Sequence, residues 1–157
     1  MAAFNNLRQL KLSLIAIYFE WSTLFKMLEG SPSLECLILE HENHALPGTG
    51  GLLLPMRINV AGYPFLQPWS PPESVPNCLL SHLKTICIKA FQGKIFTGYL
   101  DEIQVIKYLL KNGQVLENMT IYTSGFSTDA EEKLIEEFSM FERGSGTCRF
   151  ELIKEEL

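Results

Sequence analysis

Apolar and polar residues alternate through this chain in short phrases that repeat. Leu7 to Leu12 reads LRQLKL and Leu34 to Leu39 reads LECLIL, both L-x-x-L-x-L and 27 positions apart. That offset lies within the about 20–29 residues of a leucine-rich repeat. The phrase returns in weaker form as LKTICI, Leu83 to Ile88, and as LENMTI, Leu116 to Ile121. In each copy the last two apolar positions stand two apart, as a strand with one buried face requires. CRFELI, Cys148 to Ile153, continues the alternation through Phe150 and Leu152 and predicts a fifth strand.

Between these phrases the period changes to that of a helix. Trp21, Leu24, Phe25 and Leu28 follow i, i+3, i+4, i+7, with Gly30 as a stop. Ile103, Ile106, Leu109 and Leu110 form a second stripe, with Asp101 near its start and Asn112-Gly113 ending it. Leu134, Ile135, Phe138 and Phe141 form a third, opened by the capping-box spacing Thr128-x-x-Glu131 and closed by Gly144. Strand and helix in succession predict an α/β fold with right-handed crossovers. The expected architecture is leucine-rich-repeat-like: a curved, mainly parallel sheet with three helices on one face.

The rhythm breaks once, between Leu39 and Leu83. Here lie HENHALPGTGG and then WSPPESVPNC, Trp69 to Cys78, which holds three of the chain's eight prolines. Proline fixes φ and removes a backbone donor, so neither a helix nor a central strand is expected through this stretch. Val60, Tyr63, Phe65, Leu66 and Trp69 give the segment apolar anchors. The prolines lower its unfolded-state entropy. We expect a stiff strap laid across the repeats.

Composition narrows the function classes. A chain of 157 residues, 46% hydrophobic and 20% charged, suits one globular domain with its own core. A net charge of −5 and no Lys/Arg cluster argue against nucleic-acid or anionic-membrane partners. Apolar runs such as Gly51 to Met56 are too short to span a bilayer. The opening MAAFNNLRQLKLSL lacks the pattern of a signal peptide. Four cysteines without CxxC spacing read as buried thiols in a reducing compartment, cytoplasmic or nuclear.

One set of residues carries the resemblance to a known family. Trp69, Pro71-Pro72, Val75-Pro76, Cys78-Leu79, Ser81 and Leu83-Lys84 match a characteristic run in order and spacing. So do Phe91-x-Gly93, Tyr108 to Asn112, Val115-Leu116-Glu117-x-Met119 and Cys148-x-Phe150. Together they resemble the FBD domain found at the C-terminus of many plant F-box/leucine-rich-repeat proteins, from Trp69 to Leu152. The expected division is a leucine-rich-repeat portion over 1–42, the strap over 43–77 and an FBD-type cap over 78–157, packed as one unit. The resemblance implies a substrate receptor that binds a target through its repeats, while an N-terminal F-box holds the adaptor of a cullin-based ubiquitin ligase. No F-box precedes Leu7, so the chain is expected to be the C-terminal part of such a protein. The alternative is a stand-alone or truncated repeat protein that binds partners without a ligase link. The first strand, lacking a neighbour before it, is expected to promote self-association.

Chemistry finds little purchase. His41-Glu42-Asn43-His44 lacks the i, i+4 spacing of the HExxH zinc motif and reads as a solvated loop. Pro47 to Gly51 lacks the Lys-Ser/Thr of a phosphate loop and reads as a flexible turn. Cys87 has no base or orienting group marked in sequence, and His82 alone supplies none. The acidic run Asp129 to Glu137 is the wet face of an amphipathic helix. We expect no catalytic, metal or cofactor site and no enzyme.

One surface stands out. If the leucines of each phrase face the helices, the residues between them face the opposite, concave side. Those are Gln9, Lys11, Ser13, Cys36, Ile38, Glu40, Thr85, Cys87, Lys89, Asn118, Thr120, Tyr122, Arg149 and Glu151. Ile38 and Tyr122, apolar or amphipathic on a wet face, favour a partner-binding surface over plain solvated sheet. The expected anchors are Tyr122 and Arg149, with Ile38, Thr85 and Lys89 around them.

Overall fold

The computed structural model describes residues 4–14, 21–41, 69–91, 99–123 and 128–155. The elements run β1 (Gln9–Leu14), α1 (Trp21–Glu29), β2 (Cys36–His41), α2 (Asn77–Ser81), β3 (Thr85–Phe91), α3 (Tyr99–Asn112), β4 (Asn118–Thr123), α4 (Thr128–Ser139) and β5 (Arg149–Lys154). Among the described residues five strands, all parallel, lie in chain order, β1-β2-β3-β4-β5, in an open sheet. The α/β, leucine-rich-repeat-like expectation holds, with the sheet wholly rather than mainly parallel.

The register explains why the phrase recurs. Leu10, Leu37, Ile86, Met119 and Phe150 pair across the sheet in one row, and Leu12, Leu39, Ile88, Ile121 and Leu152 in the next. These rows face the helices, and from Leu37 to Ile121 they are fully buried. The first leucine of each later phrase does a different job. Leu34, Leu83 and Leu116 precede their strands and are wholly buried at the entry turns. Beside them the backbone repeats one arrangement. Arg8 O accepts from Glu35 and Cys36 N–H, Glu35 O from Lys84 and Thr85, and Lys84 O from Glu117 and Asn118. Each of these three phrases is thus a full structural repeat: a buried plug, a two-donor step and a strand.

Helices cover one face because their apolar stripes join the inner rows in a single core. Phe138 is its largest fully buried side chain, with the Phe141 and Phe150 rings 5.4 and 5.3 Å away.

Four expectations need correcting. Among the described residues there are four helices, not three. The extra one, α2, begins directly after Pro76, inside the stretch expected to exclude helix. Pro76 sits at the cap position with φ −54° and ψ 136°, where its missing N–H is harmless. Cys78 and Leu79 are then buried between α1 and α3.

Ile135 is 47% exposed. Leu134 and Phe138 carry the buried stripe at i and i+4, and Ile135 points about 100° away from Leu134. α4 ends at Ser139, so Phe141 and Gly144 lie beyond it.

The Glu131 carboxylate, read as half of a capping box, accepts a hydrogen bond from Thr123 Oγ1 at 3.0 Å and lies 4.0 Å from Lys154 Nζ. It ties α4 to the ends of β4 and β5. His41 is not in a solvated loop but is the buried last residue of β2. His44, Pro47 to Gly51 and most of the strap lie outside the described residues.

Candidate functional site: the open face of the sheet

Strand parity leaves one sheet face without helices among the described residues. Its rows follow from the register: Gln9, Cys36, Thr85, Asn118 and Arg149 in the first, and Lys11, Ile38, Cys87, Thr120 and Glu151 in the second. A third begins Ser13, Glu40, Lys89. The rows are half-buried on β2 and β3 and more exposed on β1 and β5. The middle row therefore has an apolar centre, Ile38 and Cys87, between a lysine and a glutamate at its ends.

All five expected partner-binding residues lie on this face, but the structure does not bring them all together. Ile38, Thr85, Lys89 and Tyr122 are half-buried, and Arg149 is exposed. Thr85 and Arg149 share the first row, with Asn118 between them. Tyr122 pairs with Ile153 on β5, while Arg149 pairs with Asn118. The two anchors thus stand four residues apart in register, roughly 13 Å along the strand. The register between β3 and β4 shifts between Ile88 and Phe91, so Lys89 and Ala90 stand against Tyr122 alone. The regular pairing that runs from Thr85–Asn118 to Ile88–Ile121 already sets Lys89 opposite Tyr122, four residues along the strands from the row of Thr85 and Arg149. Ile153, 37% exposed beside Tyr122, extends the apolar end of the face and was not named from sequence.

The charges here are screened and partly matched. Lys11 Nζ lies 3.6 Å from Glu40 on the neighbouring strand. Both side chains are well exposed, so the pair fixes orientation more than it adds stability. Burial pushes the Cys36 and Cys87 thiols above their ordinary value, opposed at Cys87 by Lys89. Behind the sheet, burial lifts Cys78 to about 11, and its Sγ meets Leu28 O at 3.6 Å. A thiol held protonated is a poor nucleophile at neutral pH. Ser81 Oγ lies 2.7 Å from His82 Nδ1 and 2.9 Å from the Asn77 carbonyl, an exposed local contact at the end of α2. Among the described residues no group of three or more His, Cys, Asp or Glu is placed to hold a metal ion. Among them, too, no helix is long and apolar enough to cross a membrane.

Two features escaped sequence reasoning. His41 Nε2 meets Glu102 Oε2 at 2.6 Å, both side chains being buried. Phe25, Trp69 and Tyr108 form an aromatic cluster: Phe25 stacks on Trp69 at 5.4 Å, and Tyr108 stands edge-on to both at 5.2 and 5.8 Å. Trp69 was expected as an anchor, and this cluster is what it anchors to. Residues 43–68, the remainder of the expected strap, lie outside the described structure.

Comparison with known proteins agrees with the geometry. The family model FBD matches residues 71–121, a span from the proline stretch to β4. A putative F-box/FBD/LRR-repeat protein of Arabidopsis thaliana is 30% identical over 135 residues, covering 82% of this chain and 25% of that protein. A second Arabidopsis F-box/FBD/LRR-repeat protein is 31% identical over 142 residues, 83% of this chain and 26% of its own length. A third, again named a putative F-box/FBD/LRR-repeat protein, is 30% identical across 93% of this chain and 30% of its own. The chain thus spans about a quarter of the length of the curated relatives it matches. No solved structure matches it.

Proposed function

For a chain that carries an FBD domain and resembles F-box/FBD/LRR-repeat proteins over most of its length, we propose a non-catalytic role. It is the target-binding, C-terminal part of an F-box-type ubiquitin-ligase substrate receptor, working in the cytoplasm or nucleus. The observation that carries this reading is the open face: five parallel strands side by side, with half-buried Ile38, Cys87 and Tyr122 among charged neighbours. A repeat sheet binds through such a surface because each strand adds side chains to one plane at about 4.8 Å spacing. The protonated thiols support the non-catalytic reading. The ligase adaptor would be held by an F-box elsewhere in the full protein, not by this surface.

Mutation of the face tests it. Proteins retained by the wild-type chain are identified, and their affinity is measured by calorimetry. Replacing Tyr122 and Arg149 together by alanine should weaken a true partner by about 2–4 kcal/mol. Because the two sites lie so far apart, the single effects should add. Glu132→Ala, exposed on α4, should leave binding unchanged. Loss of binding in the α4 variant, with none in the double variant, would place the partner elsewhere.

A second expectation concerns β1, which pairs only with β2 among the described residues. We propose that its outer edge takes another strand, so the chain self-associates as concentration rises. Sedimentation velocity over a concentration series checks this, and a single monomeric species throughout would refute it.

A further inference from the structure

The helix-bearing side of the molecule holds a groove of about 330 Å³ between α1 and the proline stretch. One wall is a single face of α1 carrying Phe25, Lys26 and Glu29, and the other comes from Trp69, Pro72 and Glu73. The floor is aromatic, because Phe25 and Trp69 are stacked and braced from the side by Tyr108. The proline wall is stiff before anything binds, so an incoming segment has little to order here.

The electrostatics select the ligand. Two carboxylates line the groove against one ammonium. Glu29 is also the last residue of α1, where the helix carbonyls carry partial negative charge. Among the described residues neither glutamate belongs to an ion pair. Burial first, and then the Glu29 charge, raise the Tyr108 phenol above its ordinary value, so the negative field reaches the floor. Aromatic faces are themselves negative.

A cation with a flat, weakly hydrated body suits all of these features, and among side chains that is a guanidinium. Lys26 disfavours a run of basic residues and suits an acidic neighbour beside the cation. We propose that this groove takes a single arginine side chain from an extended segment of a protein partner, its guanidinium lying against Trp69 between Glu29 and Glu73. The site is separate from the open face, so each can fail without the other.

The two tryptophans make the test direct, since Trp21 is buried in the core while Trp69 lines the groove. The indole N–H signals of the ¹⁵N-labelled full chain are followed by NMR, with Trp69→Phe assigning them. The titrant is the capped peptide Gly-Ser-Arg-Asp-Gly, and its control carries citrulline, the neutral isostere, in place of arginine. The arginine peptide should move the Trp69 signal and leave Trp21 in place, while the citrulline peptide should move neither. Glu73 is exposed and outside any helix or strand, so Glu73→Gln should fold normally and bind the arginine peptide about two- to fivefold more weakly. Equal movement with both peptides, no movement of Trp69, or wild-type affinity in Glu73→Gln would each overturn the proposal.

Discussion

Gly144→Ala should destabilise the protein by about 2–4 kcal/mol, a large effect for one methyl group. A Cβ at this position would overlap the carbonyl oxygen of Lys111 and lie 3.2 Å from its carbon. Both are backbone atoms at the end of α3, so no side chain can swing aside to make room. The close approach exists because Gly144 N–H donates to Leu110 O at 2.9 Å, tying the segment after α4 to the C-terminus of α3. Relieving the clash would break that bond and shift the approach to β5. Gly146→Ala is the internal control, for no atom lies within 4 Å of the added methyl. Urea unfolding of the two variants should separate them clearly. Equal midpoints would show that the α3 end and the Gly144 segment move apart freely.

His41→Leu should cost about 3–5 kcal/mol, the usual penalty for leaving a buried charged group without its partner. The two side chains meet at 2.6 Å and are only 7% and 4% exposed, so Glu102 would be left in the core without its imidazole. Replacing both, His41→Leu with Glu102→Leu, should recover most of the loss. An apolar pair of similar volume needs no desolvation of charge. A double-mutant cycle by urea unfolding reads the coupling, and the sign is the point: the double variant should be more stable than His41→Leu. A nearly neutral His41→Leu, or a double variant worse than the single, would mean that the pair does not carry the junction between β2 and α3.

Much of this architecture can be read one residue at a time. The L-x-x-L-x-L phrase places a strand at every recurrence because period two puts alternate side chains on opposite faces whatever the neighbours are. That rule alone assigned Ile38, Thr85, Lys89, Tyr122 and Arg149 to the open face. The helical stripes at Trp21 to Leu28 and Ile103 to Leu110 were equally legible, because a 3.6-residue period is a local property. Parallel pairing followed, since a strand, a helix and another strand in the same sheet leave no shorter route.

What the phrase could not contain is anything that depends on two distant segments meeting. Parity gives the face of a residue but not its row, so only the register showed Tyr122 and Arg149 at opposite ends of their strands. The bulge after Ile88 comes from fitting β3 against β4, and the register ahead of it sets Lys89 beside Tyr122. His41 and Glu102 are 61 residues apart, and nothing in HENH distinguishes a buried imidazole from a solvated one. α2 is five residues long, too short for a periodic stripe, and it is held by the α1 and α3 surfaces that bury Cys78 and Leu79. The sequence by itself determined the repeat, the strand faces and the order of elements, because those rest on local backbone geometry. The tertiary structure decided the rows, the buried pair and the aromatic groove, because burial and register are properties of the packed whole.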